Sequence, residues 1–239
     1  DYKACLITNV GLDHTEYLGD TFEQIAYEKS GVFKPNVPAL TTEDKPECQK
    51  VMELVADYMK TPLCFIDCQE TDVLRWNGMT FHLNPSLYQT KNLSLALETL
   101  NVLGIWLEEN EIQQVIDHFQ WAGRYMVLRK DPLVLLDGAH NVHGITALTQ
   151  SLKDFTGKIY FSVLKEKDAP HMIELLQSIS KDITLVEISS ARLYPLEKLG
   201  YPIITVDELI SRLLDTKEDS LLCGSLYYVG EVLEKWGNV

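Results

Sequence analysis

Apolar residues along this chain arrive in short blocks separated by turn residues, and the spacing within each block assigns its element. Ala4 to Val10 reads as a buried strand that stops at Gly11. Thr21-Phe22-Glu23-Gln24 has the form of a capping box, so a short helix is expected to Ser30, closed by Gly31. Pro35 and Pro38 frame a turn into a strand near 39–42. Pro46 then opens a helix whose expected apolar face is Val51, Leu54, Val55 and Tyr58. Leu63 to Ile66 is the next strand, and Trp76-Asn77-Gly78-Met79 signals a hairpin, because Asn-Gly suits a type I′ turn. Helices are predicted at about 86–103 and 109–119.

Beyond Gly123-Arg124 the alternation becomes regular, with strands near 133–136, 158–163, 183–188, 202–205 and 220–223 and helices between or after them. Such alternation indicates βαβ units and a mostly parallel sheet, hence a Rossmann-like α/β domain. The first half reads as the tail end of another α/β domain. The chain opens almost directly into a strand without an initiator Met, so a preceding part of a longer polypeptide is expected.

Composition narrows the picture. At 239 residues there is room for one large domain or two of roughly 100–150 residues, and 46% hydrophobic content suffices for genuine cores. A net charge of −14 argues against nucleic acid, whose phosphates need clustered Lys and Arg. Five cysteines form no paired framework, which fits a reducing cytosol. Cys64 and Cys68 lack a second Cys/His pair to complete a metal site. Neither a signal peptide nor a run of membrane-spanning length occurs, so a soluble cytoplasmic protein is expected.

Candidate chemistry gathers at strand ends, where the loops of an open α/β sheet converge on a crevice. Leu135-Leu136-Asp137-Gly138-Ala139-His140-Asn141 ends one apolar run in an acid, an imidazole and an amide, and Thr8-Asn9-Val10-Gly11-Leu12-Asp13-His14 ends another. On the helix from Thr21, Phe22, Ile25, Ala26 and Lys29 share one face, so Lys29 is expected to point inward. Burial favours the neutral form of an amine, and a neutral amine reacts with carbon dioxide to give a carbamate, an anionic oxygen ligand. The alternative is a lysine that snorkels past Phe22 to water. Asp137 and His140 either hold a nucleotide or play local roles, Asp137 capping the next helix and His140 bonding a carbonyl. Arg124 is either a phosphate-binding fork or an ordinary linker cation. Lys165, Lys167 and Asp168 form a further polar cluster after a strand.

Taken in order, these boxes resemble the folylpolyglutamate synthase/dihydrofolate synthase family, a branch of the Mur ligase superfamily. The resemblance covers nearly the whole chain. It is carried by Ile7 to His14 with Leu18-Gly19, by Glu28 to Lys34, by Tyr88-Gln89 with Asn92, and by Gly123-Arg124-Tyr125. Leu136 to Asn141, Lys165 to Asp168, and Gly224 to Glu231 complete it; Val142 stands where the family usually has Pro. The resemblance implies an α/β architecture in which residues 1–122 are the C-terminal part of a P-loop-type central ATPase domain. Residues 123–239 would be the Rossmann-like C-terminal ligase domain.

It also implies an ATP-dependent amide ligase: ATP activates a pterin substrate's carboxylate as an acyl phosphate, and the amine of L-glutamate attacks it. His14 and Lys29 are implied as magnesium ligands and catalytic residues, Lys29 in carbamylated form. Arg124, Asp137, His140 and Asn141 are implied as nucleotide-binding. The expected partners are folate or dihydropteroate, L-glutamate and the preceding region of the same polypeptide, with the protein acting as a monomer. The family's glycine-rich phosphate loop, ending in Gly-Lys-Ser or Gly-Lys-Thr, does not occur in the sequence; Thr156-Gly157-Lys158-Ile159 lacks both its first glycine and its hydroxyl residue. The chain in isolation is therefore expected not to turn over ATP. The competing readings are a peptidoglycan-type Mur ligase and a non-catalytic nucleotide- or pterin-binding module. Ser190-Ala191-Arg192 is a further candidate for substrate contact.

Overall fold

The computed structural model describes residues 2–12, 15–68, 73–83, 89–119 and 121–237. The chain divides into two compact units, Asp1–His118 and Phe119–Val239.

The first unit begins with a parallel three-stranded sheet of order β1-β2-β3: β1 (Cys5–Ile7), β2 (Ala39–Thr41) and β3 (Leu63–Phe65). After β1 come a single turn, α1 (Thr15–Leu18), and α2 (Phe22–Ser30); α3 (Pro46–Met59) joins β2 to β3. The capping box is formed: Thr21 Oγ1 accepts from the Gln24 amide at 3.2 Å while Gln24 Oε1 accepts from the Thr21 amide at 3.3 Å. Ile25 and Ala26 of α2 are fully buried against Cys5, Ile7 and Phe33, as the apolar stripe predicts.

The helix from Pro46 starts where expected, but only half of the expected face turns inward: Val51 and Val55 pack, partly buried, against the core. Cys48, Met52 and Ala56 are inside, whereas Leu54 is 64% and Tyr58 87% exposed. Small and unbranched residues at i, i+4 and i+8 let α3 lie close against α2, where the Cys48 thiol donates to the Phe22 carbonyl at 3.8 Å, and that close approach selects the inner face over the bulkier stripe. Leu54 and Tyr58 instead line an open groove with Tyr17, Leu18 and Tyr27.

The predicted hairpin is present as β4 (Val73–Trp76) and β5 (Met79–His82), antiparallel with Trp76 opposite Met79. Asn77 and Gly78 both have positive φ, 47° and 81°, as a type I′ turn requires. Phe81 and Leu74 pack with Leu97 of α4 (Gln89–Val102) and Ile112 of α5 (Glu109–His118) in a separate small core.

The second unit is built on one six-stranded sheet of order β10-β9-β8-β11-β7-β6. The strands are β6 (Met126–Lys130), β7 (Leu133–Asp137), β8 (Lys158–Phe161), β9 (Ile183–Glu187), β10 (Ile203–Thr205) and β11 (Ser220–Cys223). All pairings are parallel except β6 with β7. Five of the six strands lie where the apolar runs predict them. β6 is the addition: it mixes apolar and basic residues, shows a register shift between Val127 and Arg129, and is an edge strand.

The strands bury both faces, as a parallel sheet must. Leu135, Leu221, Ile159 and Leu185 point to one side, under α6 (Val142–Ser151) and α7 (Ala169–Leu176). Val134, Leu136, Leu222 and Val186 point to the other, under α8 (Val206–Asp215) and α9 (Leu226–Trp236). Each fully buried Leu or Ile contributes about 1.5–3 kcal/mol, which outweighs the propensity of any single residue. No helix among the described residues is long and apolar enough to cross a membrane.

Candidate functional site

In the first unit the chemistry lies just beyond the carboxyl end of β1. Asp13 and His14 fall outside the described residues, so the expected metal role of His14 has no structural account here. Lys29 does. Its side chain is half-buried, and its ammonium donates to the Asn9 carbonyl at 2.9 Å. The inward orientation expected from the stripe Phe22, Ile25, Ala26 and Lys29 is therefore the one adopted: α2 lays its apolar residues on the sheet, and Lys29, at the end of that face, reaches the strand exit.

The same exit is gripped by residues the sequence reading did not single out. Thr42 Oγ1 donates to the Thr8 carbonyl at 2.6 Å, and Lys45 Nζ donates to the Val10 carbonyl at 2.9 Å. Glu43, with its side chain fully buried, accepts from the Val10 amide through Oε2. Its Oε1 accepts from the Lys45 amide at 2.9 Å, the Asp44 amide at 3.1 Å and the Lys45 ammonium at 3.1 Å. A buried carboxylate is tolerated when it is paired and hydrogen-bonded in this way. The only sequence signal for this cluster was an acid directly after a buried strand.

The second unit carries the box at the end of β7. Asp137 is only 3% exposed; Oδ1 accepts from the Ala139 amide and Oδ2 from the Tyr125 amide, both at 2.7 Å. Asp137 therefore does not cap the following helix. That role belongs to Asn141, whose Oδ1 accepts from the Gly144 amide at 2.7 Å. His140 Nδ1 lies 2.8 Å from the Gly138 carbonyl, the local bond considered for it.

Arg124 is half-buried and folds back over the loop. Its guanidinium donates to the Gly123 carbonyl at 3.2 Å, and a Cβ on Gly138 would stand 2.5 Å from Arg124 Nη1 and 2.4 Å from Leu226. A larger residue there would push the Arg124 and Leu226 side chains aside and crowd the Gly123 carbonyl at 3.0 Å. Tyr125 adopts a left-handed φ of 45°, held by the bond from its amide to Asp137. The structure thus brings Arg124, Asp137, His140 and Asn141 to one end of β7.

Neighbouring strand ends share this edge, because Asp137 is in register with Cys223 of β11 and Cys223 with Phe161 of β8. Burial, with the Asp137 charge adding to it, pushes the Cys223 thiol well above its ordinary range and raises the Tyr125 phenol. Asp168 caps α7 by accepting from the His171 amide at 3.4 Å, and Glu166 pairs with Arg192. The polar cluster after β8 is therefore partly structural. Ser190 Oγ accepts from the Arg192 amide at 3.2 Å, which ties that candidate segment to itself.

Among the described residues no three His, Cys, Asp or Glu side chains converge as metal ligands. The Lys29 ammonium itself is a hydrogen-bond donor and offers no oxygen to magnesium, a hard cation that takes few protein oxygens alongside substrate phosphates. A carbamate on the half-buried Lys29 arm would supply such an oxygen at the β1 exit.

No family model matches the chain. It is 32% identical over 259 residues to the dihydrofolate synthase/folylpolyglutamate synthase of Buchnera aphidicola subsp. Acyrthosiphon pisum, covering 98% of this chain and 62% of that protein. With the Bacillus subtilis protein of the same name it shares 27% identity over 266 residues, 96% of this chain and 62% of the relative. Among solved structures, E. coli FolC in complex with ADP superposes with a TM-score of 0.84 at 26% identity, covering 100% of this chain and 62% of that one. The E. coli FolC complex with DHPP and ADP gives 0.82. The chain thus spans about 62% of the length of these relatives.

Proposed function

By homology along nearly its whole length the chain belongs to the dihydrofolate synthase/folylpolyglutamate synthase family of the Mur ligase superfamily, and on that premise we propose that it is part of an ATP-dependent amide ligase. The reaction is addition of L-glutamate to a folate or dihydropteroate carboxylate through an acyl phosphate. A carboxylate is a poor electrophile, and conversion to a mixed anhydride supplies a leaving group. One observation carries the reading: the Lys29 amine lies beyond the carboxyl end of β1 and the Asp137–Asn141 loop beyond that of β7, both strands in parallel pairings, and this is the edge at which open α/β sheets bind ligands.

In this reading residues 1–122 are the C-terminal part of the ATPase (central) domain and 123–239 the Rossmann-like ligase domain. ATP and magnesium are the cofactors; magnesium, when bound, neutralises phosphate charge and steadies the transferring phosphoryl group. Lys29 offers the metal an oxygen as its carbamate and His14 an imidazole. Arg124 presents a planar fork suited to phosphate, pre-oriented by its bond to Gly123. Asp137 keeps the Gly138–Asn141 loop and the Gly123–Tyr125 turn in one arrangement, so that His140 and Asn141 meet the nucleotide without prior ordering. A cytoplasmic location and action as a monomer belong to the same reading, and an odd number of cysteines, five, fits a reducing compartment.

The test is incorporation of labelled glutamate into dihydropteroate or a folate with ATP and magnesium. It is run with this chain alone and with the chain joined to the preceding region of the Bacillus subtilis relative, which brings that region's phosphate loop. Turnover is expected only from the joined protein. Ligation to a UDP-linked peptide instead would favour the peptidoglycan-type activity. Nucleotide binding without ligation in either format would favour the binding module.

A further inference from the structure

We infer that Glu43 is the positioning residue for Lys29, acting through a single peptide unit. The carbonyl of Asn9 and the amide of Val10 belong to the same planar group, so their directions are opposed and cannot be set independently. Glu43 takes the amide end of that group and the Lys29 ammonium takes the carbonyl end, at 2.9 Å. Turning the peptide over would aim the carbonyl at a buried carboxylate and the N–H at an ammonium, which is repulsive at both ends. Glu43 thereby fixes where the acceptor for Lys29 stands.

Glu43 is suited to this because it is itself held from several sides. Its side chain is completely buried, its second oxygen takes the Asp44 and Lys45 amides and the Lys45 ammonium, and its own amide donates to Thr41 Oγ1 at 3.1 Å. Gln49 Nε2 donates to its carbonyl at 2.8 Å. The neighbouring carbonyls of Thr8 and Val10 are pinned by Thr42 and Lys45, so three successive peptide groups at the β1 exit have fixed orientations. A surface ion pair would be free to rearrange; an enclosed carboxylate with four donors is not. The inference rests on the proposed function only in giving Lys29 a purpose, since the geometric coupling exists whatever Lys29 does.

The experiment uses the 239-residue chain with Glu43→Gln, which replaces one accepting oxygen by a donor and so sets N–H against N–H on one side of the hub. Hydrogen exchange of the Val10 amide reads the clamp. Competitive acetylation of lysine amines, followed by peptide mass spectrometry, reads Lys29, with exposed Lys60 as the internal reference. Val10 exchange is expected to speed up by about tenfold or more. Lys29 is expected to acetylate several-fold faster while Lys60 stays unchanged. Glu43→Asp, which keeps the charge but shortens the arm, should move both readouts in the same direction and stands in if the Gln variant does not fold. Faster Val10 exchange with an unaltered Lys29 rate would reduce Glu43 to a local structural part and overturn the inference. Unaltered values for both would remove the clamp itself. Failure of the joined protein to ligate glutamate would leave these results standing, so the two ideas fail separately.

Discussion

Asp137 uses both carboxylate oxygens on backbone amides, one in its own loop and one on Tyr125 twelve residues earlier in the chain. Asp137→Asn turns one acceptor into a donor facing an N–H in a nearly dry setting. It is expected to destabilise the second unit by about 1–3 kcal/mol, measured by urea unfolding of the chain. The thiols give a residue-level test of burial that needs no mutation. Burial raises Cys48 to about 11, with the Glu43 charge adding to it, and lifts Cys223 well above the ordinary thiol range; Cys64 is exposed. Because the thiolate is the reactive form, a disulfide reagent at pH 8 should modify Cys64 rapidly and leave Cys48 and Cys223 unreacted until the protein unfolds. The same shift predicts alkaline lability. Between the ordinary thiol value of 9.0 and about 11 the unfolded chain loses the Cys48 proton while the folded chain keeps it. Stability is therefore fully present below pH 9 and falls as pH rises through that window. Cys48→Ala should flatten this part of a stability profile recorded by urea titration at successive pH values; an unchanged slope would contradict the assignment.

Helix α2 links a local sequence signal to the candidate site. Thr21 and Gln24 close the capping box, Ile25 and Ala26 bury the inner face, and Lys29 follows one turn later at the β1 exit. Thr21→Ala removes the acceptor for the Gln24 amide and should cost about 1 kcal/mol in urea unfolding. All of α2 was legible beforehand, since cap, stripe and terminus agreed. Helix α3 was legible in position and not in orientation. Its sequence offers two apolar stripes, and the one with Cys48, Met52 and Ala56 is inside because it permits the closer approach to α2. Strand β6 was missed because it is irregular in register and mixes basic with apolar residues, while its ladder partner, β7, identifies itself much more strongly.

For the molecule entire, the two units have separate cores: Ile7, Ile25 and Met52, with the small Phe81 cluster, in one, and the two faces of the six-stranded sheet in the other. Chains with independent cores need not unfold in one step. Scanning calorimetry is expected to resolve two transitions, and the proposed nucleotide role of the β7 loop assigns ATP to the second unit. A ligand at 100 times its dissociation constant adds about 2.7 kcal/mol to the state that binds it. ATP with magnesium should therefore raise the transition of the second unit alone, and His140→Ala should remove the rise. A shift confined to the other transition would move the nucleotide away from Asp137 and His140.

Residue order alone set the βα alternation, the α2 capping box, the hairpin and the two strand-end boxes, because each depends on neighbours within a few positions and on periods of 2 and 3.6. Only the folded chain decided which stripe of α3 is inside, that Asn141 rather than Asp137 caps α6, and that Glu43 faces the peptide group holding Lys29. Those outcomes turn on which groups meet across 12 to 33 positions of chain, and hydrogen bonds and close packing select among partners that no local pattern distinguishes.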